Sequence, residues 1–140
     1  MKKAVKIVSM ALLLVAVTVM LVSCSSFSKI KRNFEDAGYK VVENDDEANT
    51  ITAELEEGNV SCTAHLFQKK SEEIGFLTYN ALVLEFKSDE DINKALSESE
   101  TLKGLVKDLQ NSDLVNGNCL LVPLSLVKAD EMISVFNQGK

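Results

Sequence analysis

Residues 50–87 read TITAELEEGNVSCTAHLFQKKSEEIGFLTYNALVLEFK, and the spacing of their apolar side chains decides the fold class. Val60, Cys62, Ala64 and Leu66 recur at every second position, the period that places them on one face of a strand. Leu82, Leu84 and Phe86 repeat that pattern within Phe76–Lys87, a second and longer strand. Thr50–Leu55 also alternates. With Glu56-Glu57-Gly58-Asn59 as a turn, it predicts a hairpin with Val60–Phe67.

Upstream, Phe27, Ile30, Phe34 and Ala37 are spaced by three and four, which predicts a helix over Ser28–Ala37 with Gly38 as its terminating residue. Tyr39–Glu43 is β-branched and aromatic, a short strand, and the acidic stretch Asn44–Asn49 reads as a loop. Downstream, Ser88-Asp89-Glu90-Asp91 carries a helix-start signature, and helical spacing continues from Ile92 to about Gln110. The weak formers Ser97–Thr101 and Gly104 predict a break within it. Asn116-Gly117-Asn118 is a turn. Cys119–Leu124 is an apolar run of strand length, whose Pro123 marks a strand end or an edge. Ser125 precedes a last amphipathic helix bearing Leu126, Ala129, Ile133 and Phe136. Strands in succession, without strand–helix alternation, predict an α+β fold. The expectation is an antiparallel sheet of four to five strands with helices packed on one face, ferredoxin-like in style, spanning 28–140 as a single domain.

The first residues are of another kind. Lys2, Lys3 and Lys6 precede Ile7–Val22, which is apolar apart from Ser9 and Thr18. A helix of that length reaches about 24 Å, short of the ~30 Å hydrocarbon core, so a secretory signal is a better reading than a permanent span. Leu21-Val22-Ser23-Cys24 closes the run. This segment resembles the lipobox signal of bacterial lipoproteins. The resemblance implies that residues 1–23 are a signal peptide removed by cleavage. It also implies that the Cys24 thiol carries a diacylglyceryl group with palmitate-like chains, and that 24–27 form a short tether. The expected location is the extracytoplasmic face of the cell membrane. Farther along, Phe34–Val41, passing from helix to strand, is loosely similar to small extracytoplasmic bacterial α+β proteins, a likeness of pattern that implies no activity.

Charge narrows the function classes. The chain carries 15 Lys+Arg against 21 Asp+Glu, net −6, and residues 24–140 alone carry net −9. Such an acidic domain is a poor match for nucleic acid, whose binding rests on Lys and Arg against phosphates. Lys29, Lys31 and Arg32 are a local basic exception, read here as a solvated helix face.

Candidate chemistry is sparse. Cys62 and Cys119, 57 residues apart, are the candidate disulfide pair in an oxidising compartment. Free, buried thiols are the expectation. His65 alternates away from Cys62 and Ala64, toward solvent or a second layer, and has no evident catalytic partner. Glu43–Glu47 lacks the spacing of a calcium loop. Asn59-Val60-Ser61 matches a glycosylation sequon by chance in a bacterial setting. Two thiols with no CxxC or Cys/His cluster do not make a metal site, and no cofactor motif is present. The sequence therefore predicts a non-enzymatic, lipid-anchored binding or interaction domain of the cell envelope. Its partners are the membrane, through Cys24, and a protein or peptide. That peptide could add to Cys119–Leu124 if this strand lies at an edge. The competing expectation is a small envelope enzyme using carboxylates or thiols distant in sequence; a cleft joining Cys62 or His65 to two carboxylates would mark it.

Overall fold

Three-residue spacing in the first helix and two-residue alternation after it set up a helix laid across a sheet. The computed structural model describes residues 26–43, 45–107 and 111–140. The lipobox residues Leu21–Cys24 and the apolar run before them lie outside the described residues, as do Asn44 and Gln110. Helix α1 covers 26–36. It is followed by β1 (Lys40–Val42), α2 (Asp46–Glu57), β2 (Cys62–Lys70), β3 (Thr78–Phe86), α3 (Asp89–Glu98) and α4 (Glu100–Val106). A short 3-10 turn leads to β4 (Val115–Asn116) and β5 (Cys119–Pro123), and a second leads to α5 (Ala129–Phe136). The five strands form one sheet in the order β1-β2-β3-β5-β4, every neighbouring pair antiparallel. The fold class is α+β, as the strand pattern predicted.

Helices cover both faces of this sheet, where helices on one face were expected. The register shows why. Leu66 pairs with Leu82 and Leu82 with Val122, so these side chains share a face, together with Ala64, Leu84, Leu120 and Cys62. Against that face lie α2, α3 and α4 through Ile51, Leu55, Ile92, Ala95, Leu102 and Val106, all buried. The intervening positions His65, Phe67, Val83 and Leu121 make the other face. There α1 and α5 pack: Phe27 stacks on His65, Phe34 stacks on Phe67, and Met132 and Phe136 are fully buried. The sequence carries a signal for this. Ala81–Leu84 and Cys119–Val122 are unbroken apolar runs, and a strand buried on two sides loses its alternation.

A second correction concerns 45–57. The expected strand Thr50–Leu55 and its hairpin with Val60–Phe67 are replaced by α2. TITAEL alternates, but Ala48, Ile51 and Leu55 also sit three and four apart, and these three are the buried residues of the helix. Asp45 caps it, its carboxylate accepting from the Ala48 N–H at 3.1 Å, with Asp46 and Glu47 in the first turn. The acidic loop is thus the start of a helix. The hairpin of this region is β2–β3, paired from Cys62↔Phe86 to Lys70↔Thr78.

Other expectations are met closely. Gly38 takes φ +94, and the chain turns there from α1 into β1, the Tyr39 N–H donating to the Phe34 carbonyl at 2.9 Å. The predicted helix break falls at Ser99, between α3 and α4. Ser99 is wholly buried. Its hydroxyl donates to Glu54 Oε1 at 2.9 Å and accepts from the Leu102 N–H at 3.0 Å. Hydrogen bonds from Thr101 first and then from the Ser99 hydroxyl hold the Glu54 carboxyl below its usual pKa range. Ser99→Ala removes the α4 cap and leaves Glu54 short of a donor. An expected loss of about 1–2 kcal/mol is readable by urea unfolding, and a loss below ~0.3 kcal/mol would contradict this role.

Cys119–Pro123 is an inner strand, lying between β3 and β4, so the expected edge for peptide addition is not there. Pro123 marks its end. The two-residue turn from β4 places Gly117 at φ +61, the left-handed region that favours glycine.

Candidate functional site at the β2–β3 hairpin

The charged connection predicted at Lys69–Gly75 becomes the tip of the β2–β3 hairpin, and the chemistry-bearing side chains gather beneath it. Lys69 lies on the face covered by α1 and α5, two residues beyond Phe67. Its ammonium is 3.2 Å from Glu131 Oε1 of α5 and 5.5 Å from the centre of the Tyr39 ring. Lys128, just ahead of α5, is 3.6 Å from the second Glu131 oxygen and 5.6 Å from the centre of the Tyr79 ring. One carboxylate thus ties two cations, and each cation lies over an aromatic ring.

Tyr39 is 2 % exposed, and its hydroxyl has no hydrogen-bond partner among the described residues. Burial, then the negative charge of Glu131, pushes its pKa up to about 12, so the phenol stays protonated.

Two adjoining clefts open beside Lys69. One, of about 300 Å³, is lined by Lys70, Glu72, Glu73, Tyr79, Val127 and Lys128 among others. The second, of about 430 Å³, runs along Asp36, Gly38, Lys40 and Gln68. Above them the hairpin tip exposes Ile74, Phe76 and Leu77, with Phe76 89 % exposed, and Val127 is 82 % exposed on the wall of the first cleft. Lone exposed apolar residues are ordinary; these four lie together at one end of the domain beside charged clefts.

The residues singled out from sequence lie elsewhere. Cys62 pairs with Phe86 and Cys119 with Glu85, adjacent positions of β3 that point to opposite faces. The two cysteines are therefore on opposite sides of the sheet, where no disulfide can join them, and both are free thiols. Burial first, then Glu56, pushes Cys62 up to about 11; burial first, then Glu85, pushes Cys119 up to about 12. Both are protonated at neutral pH and unreactive as nucleophiles. His65 meets the second layer: Phe27 stacks on it at 3.8 Å, and its Nε2 is 3.2 Å from Glu85 Oε1. Glu85 sits between His65 and Cys119, but α1 covers the imidazole, Cys119 is fully buried, and neither residue lines the two clefts. Among the described residues no group of three or more His, Cys, Asp and Glu could hold a metal ion.

The hairpin cluster was not legible in the sequence, because Tyr39, Lys69, Tyr79 and Glu131 come from four separate elements. Phe76, expected as the start of the long strand, lies exposed ahead of β3, which begins at Thr78. The chain matches no protein-family model, no curated protein and no solved structure. Its function is therefore read from its own side chains. In this cluster Tyr39 is held protonated and Glu131 is paired with two lysines.

The His65 environment has a consequence for stability. Burial lowers its pKa below 6.5, outweighing the opposing pull of Glu85 and reinforced by Lys31. The folded chain thus prefers neutral imidazole, and the unfolded chain binds the proton more readily. The sign follows: this contribution to stability is intact above pH 6.5, declines as pH falls below it, and levels off below the folded-state pKa. Denaturation midpoints measured between pH 8 and pH 5 should fall for the wild type and fall less for His65→Gln. Identical slopes would refute it.

Proposed function

We propose that this chain is a non-enzymatic, lipid-anchored binding domain of the bacterial cell envelope. In this reading Cys24 holds it at the extracytoplasmic face of a membrane, and the β2–β3 tip meets a protein partner. The observation that carries the binding assignment is the exposed apolar tip of Ile74, Phe76 and Leu77 with Val127, bordering the two charged clefts. The lipobox Leu21–Cys24 after its short apolar run supports the anchor. No helix among the described residues is long and apolar enough to cross a membrane.

Position fits the assignment as well. Ser26, at the start of α1, lies against Gly117 in the β4–β5 turn, and that turn adjoins the Phe86 end of β3. The tip follows Lys70 at the other end of β2, eight residues on from Cys62. At ~3.3 Å per residue the tip stands about 26 Å from the anchored end. It is the part of the domain best placed to reach a neighbour.

A photo-crosslinking residue in place of Phe76 should give discrete protein adducts in intact cells. The same probe in place of Asn93, exposed on α3, should give none. Matching adducts at both positions, or none at 76, would count against the tip as the binding surface.

A further inference from the structure

We propose that the outer surface of α1 rests on anionic headgroups of the bilayer that holds the Cys24 lipid, so that the domain lies with its sheet parallel to the membrane. The inference builds on the lipid anchor of the preceding section and adds a second, electrostatic contact.

The first observation is where the anchor ends. Ser26 is the first described residue, and Cys24 precedes it by two positions. Two residues span at most ~7 Å, so α1 starts at the lipid–water boundary.

The second is the orientation of α1. Phe27, Ile30 and Phe34 point inward onto the sheet, which leaves Lys29, Lys31 and Arg32 exposed on the rest of the helix, Lys29 also donating to the Gly139 carbonyl at 2.6 Å, with the exposed acids Glu35 and Asp36 confined to its last turn. Residues 26–34 contain no acid. Lys31 lies 3.8 Å from Glu35, an exposed pair that leaves its ammonium open to a phosphate.

The third is how charge divides between the two helical layers. Helices α2, α3 and α4 carry ten acidic and two basic residues. Helices α1 and α5 carry three basic and four acidic residues, and one of those four, Glu131, is held by Lys69 and Lys128. Of the net −9 of residues 24–140, −8 is therefore on the helices of the layer away from α1, although four acids lie on α1 and α5. Two layers of ~10 Å put that charge about 20 Å beyond the sheet's other side, more than two Debye lengths of ~8 Å at physiological salt. At that distance repulsion from an anionic leaflet is screened, while lysines in contact with it are attracted in full.

The full-length lipidated protein, incorporated in vesicles of phosphatidylcholine alone or with one-third phosphatidylglycerol, tests this by lysine acetylation read by mass spectrometry. Each Lys or Arg at an anionic surface is worth about five-fold in partitioning. Lys29 and Lys31 should be protected about five-fold on the anionic vesicles relative to the neutral ones. Lys94 and Lys103, on the acidic layer, should react equally on both. Half-molar salt should erase the protection. The exposed double change Lys31→Glu with Arg32→Glu should erase it at Lys29 while circular dichroism stays unchanged. Equal reactivity of Lys29 and Lys31 on both vesicles, with the protein still floating with them, overturns this contact and leaves the anchor standing. Flotation with anionic vesicles only supports the contact and removes the anchor. Flotation with neither overturns both.

Discussion

Phe34→Ala should cost about 3–5 kcal/mol of folding stability, the range for truncating a fully buried aromatic residue. Phe34 is wholly buried, stacked on Phe67 at 4.8 Å and edge-on to Tyr39 at 5.1 Å. It joins α1 to β2 and to the start of β1 at once, and no neighbour can collapse into its volume without moving the helix. Domains of this size have roughly 6–17 kcal/mol in total, so the change removes between about a fifth and four-fifths of it. The melting temperature should fall by about 15 °C, and a conservative Phe34→Leu should fall much less. Because α1 also carries the lysines proposed to face the bilayer, the variant should loosen that layer first. A loss under ~1 kcal/mol in urea unfolding would show that α1 does not depend on this contact.

Cys24→Ser should abolish lipid attachment altogether. A hydroxyl is not alkylated in place of a thiol under the chemistry the lipobox implies. Without modification the chain is not a substrate for cleavage just before residue 24. Each acyl CH₂ contributes ~0.8 kcal/mol of membrane affinity, and two or more chains give stable anchoring, so their loss is a change of compartment rather than of degree. Growth with a clickable fatty acid should label the wild type and leave the variant unlabelled. After fractionation and an alkaline wash, the mature wild-type form should stay with membranes. Equal labelling of the two proteins would remove the lipoprotein assignment and with it the anchor on which the membrane geometry is drawn. It would leave the hairpin-tip surface untouched, since that surface rests on the folded domain alone.

Local signals determined a good part of this protein without help from the tertiary structure. The helix ending at Gly38, the β3 strand, the helix start after Ser88 and the break at Ser99 follow from spacing, capping and left-handed backbone geometry, all of which act over one or two turns. Four things were decided only when distant parts of the chain met. TITAEL fits both a strand and a helix, and burial of Ile51 and Leu55 on the sheet chose the helix. The number of layers depended on which elements cover each face, so the unbroken runs in β3 and β5 acquired their meaning from α1 and α5 packing opposite α2–α4. The separation of Cys62 from Cys119 rests on strand register, because one position along β3 reverses the face on which a paired residue lies. The cluster of Tyr39, Lys69, Tyr79 and Glu131 has the same origin: its members are far apart in the chain, and only antiparallel pairing and the docking of α5 bring their charges within reach of one another.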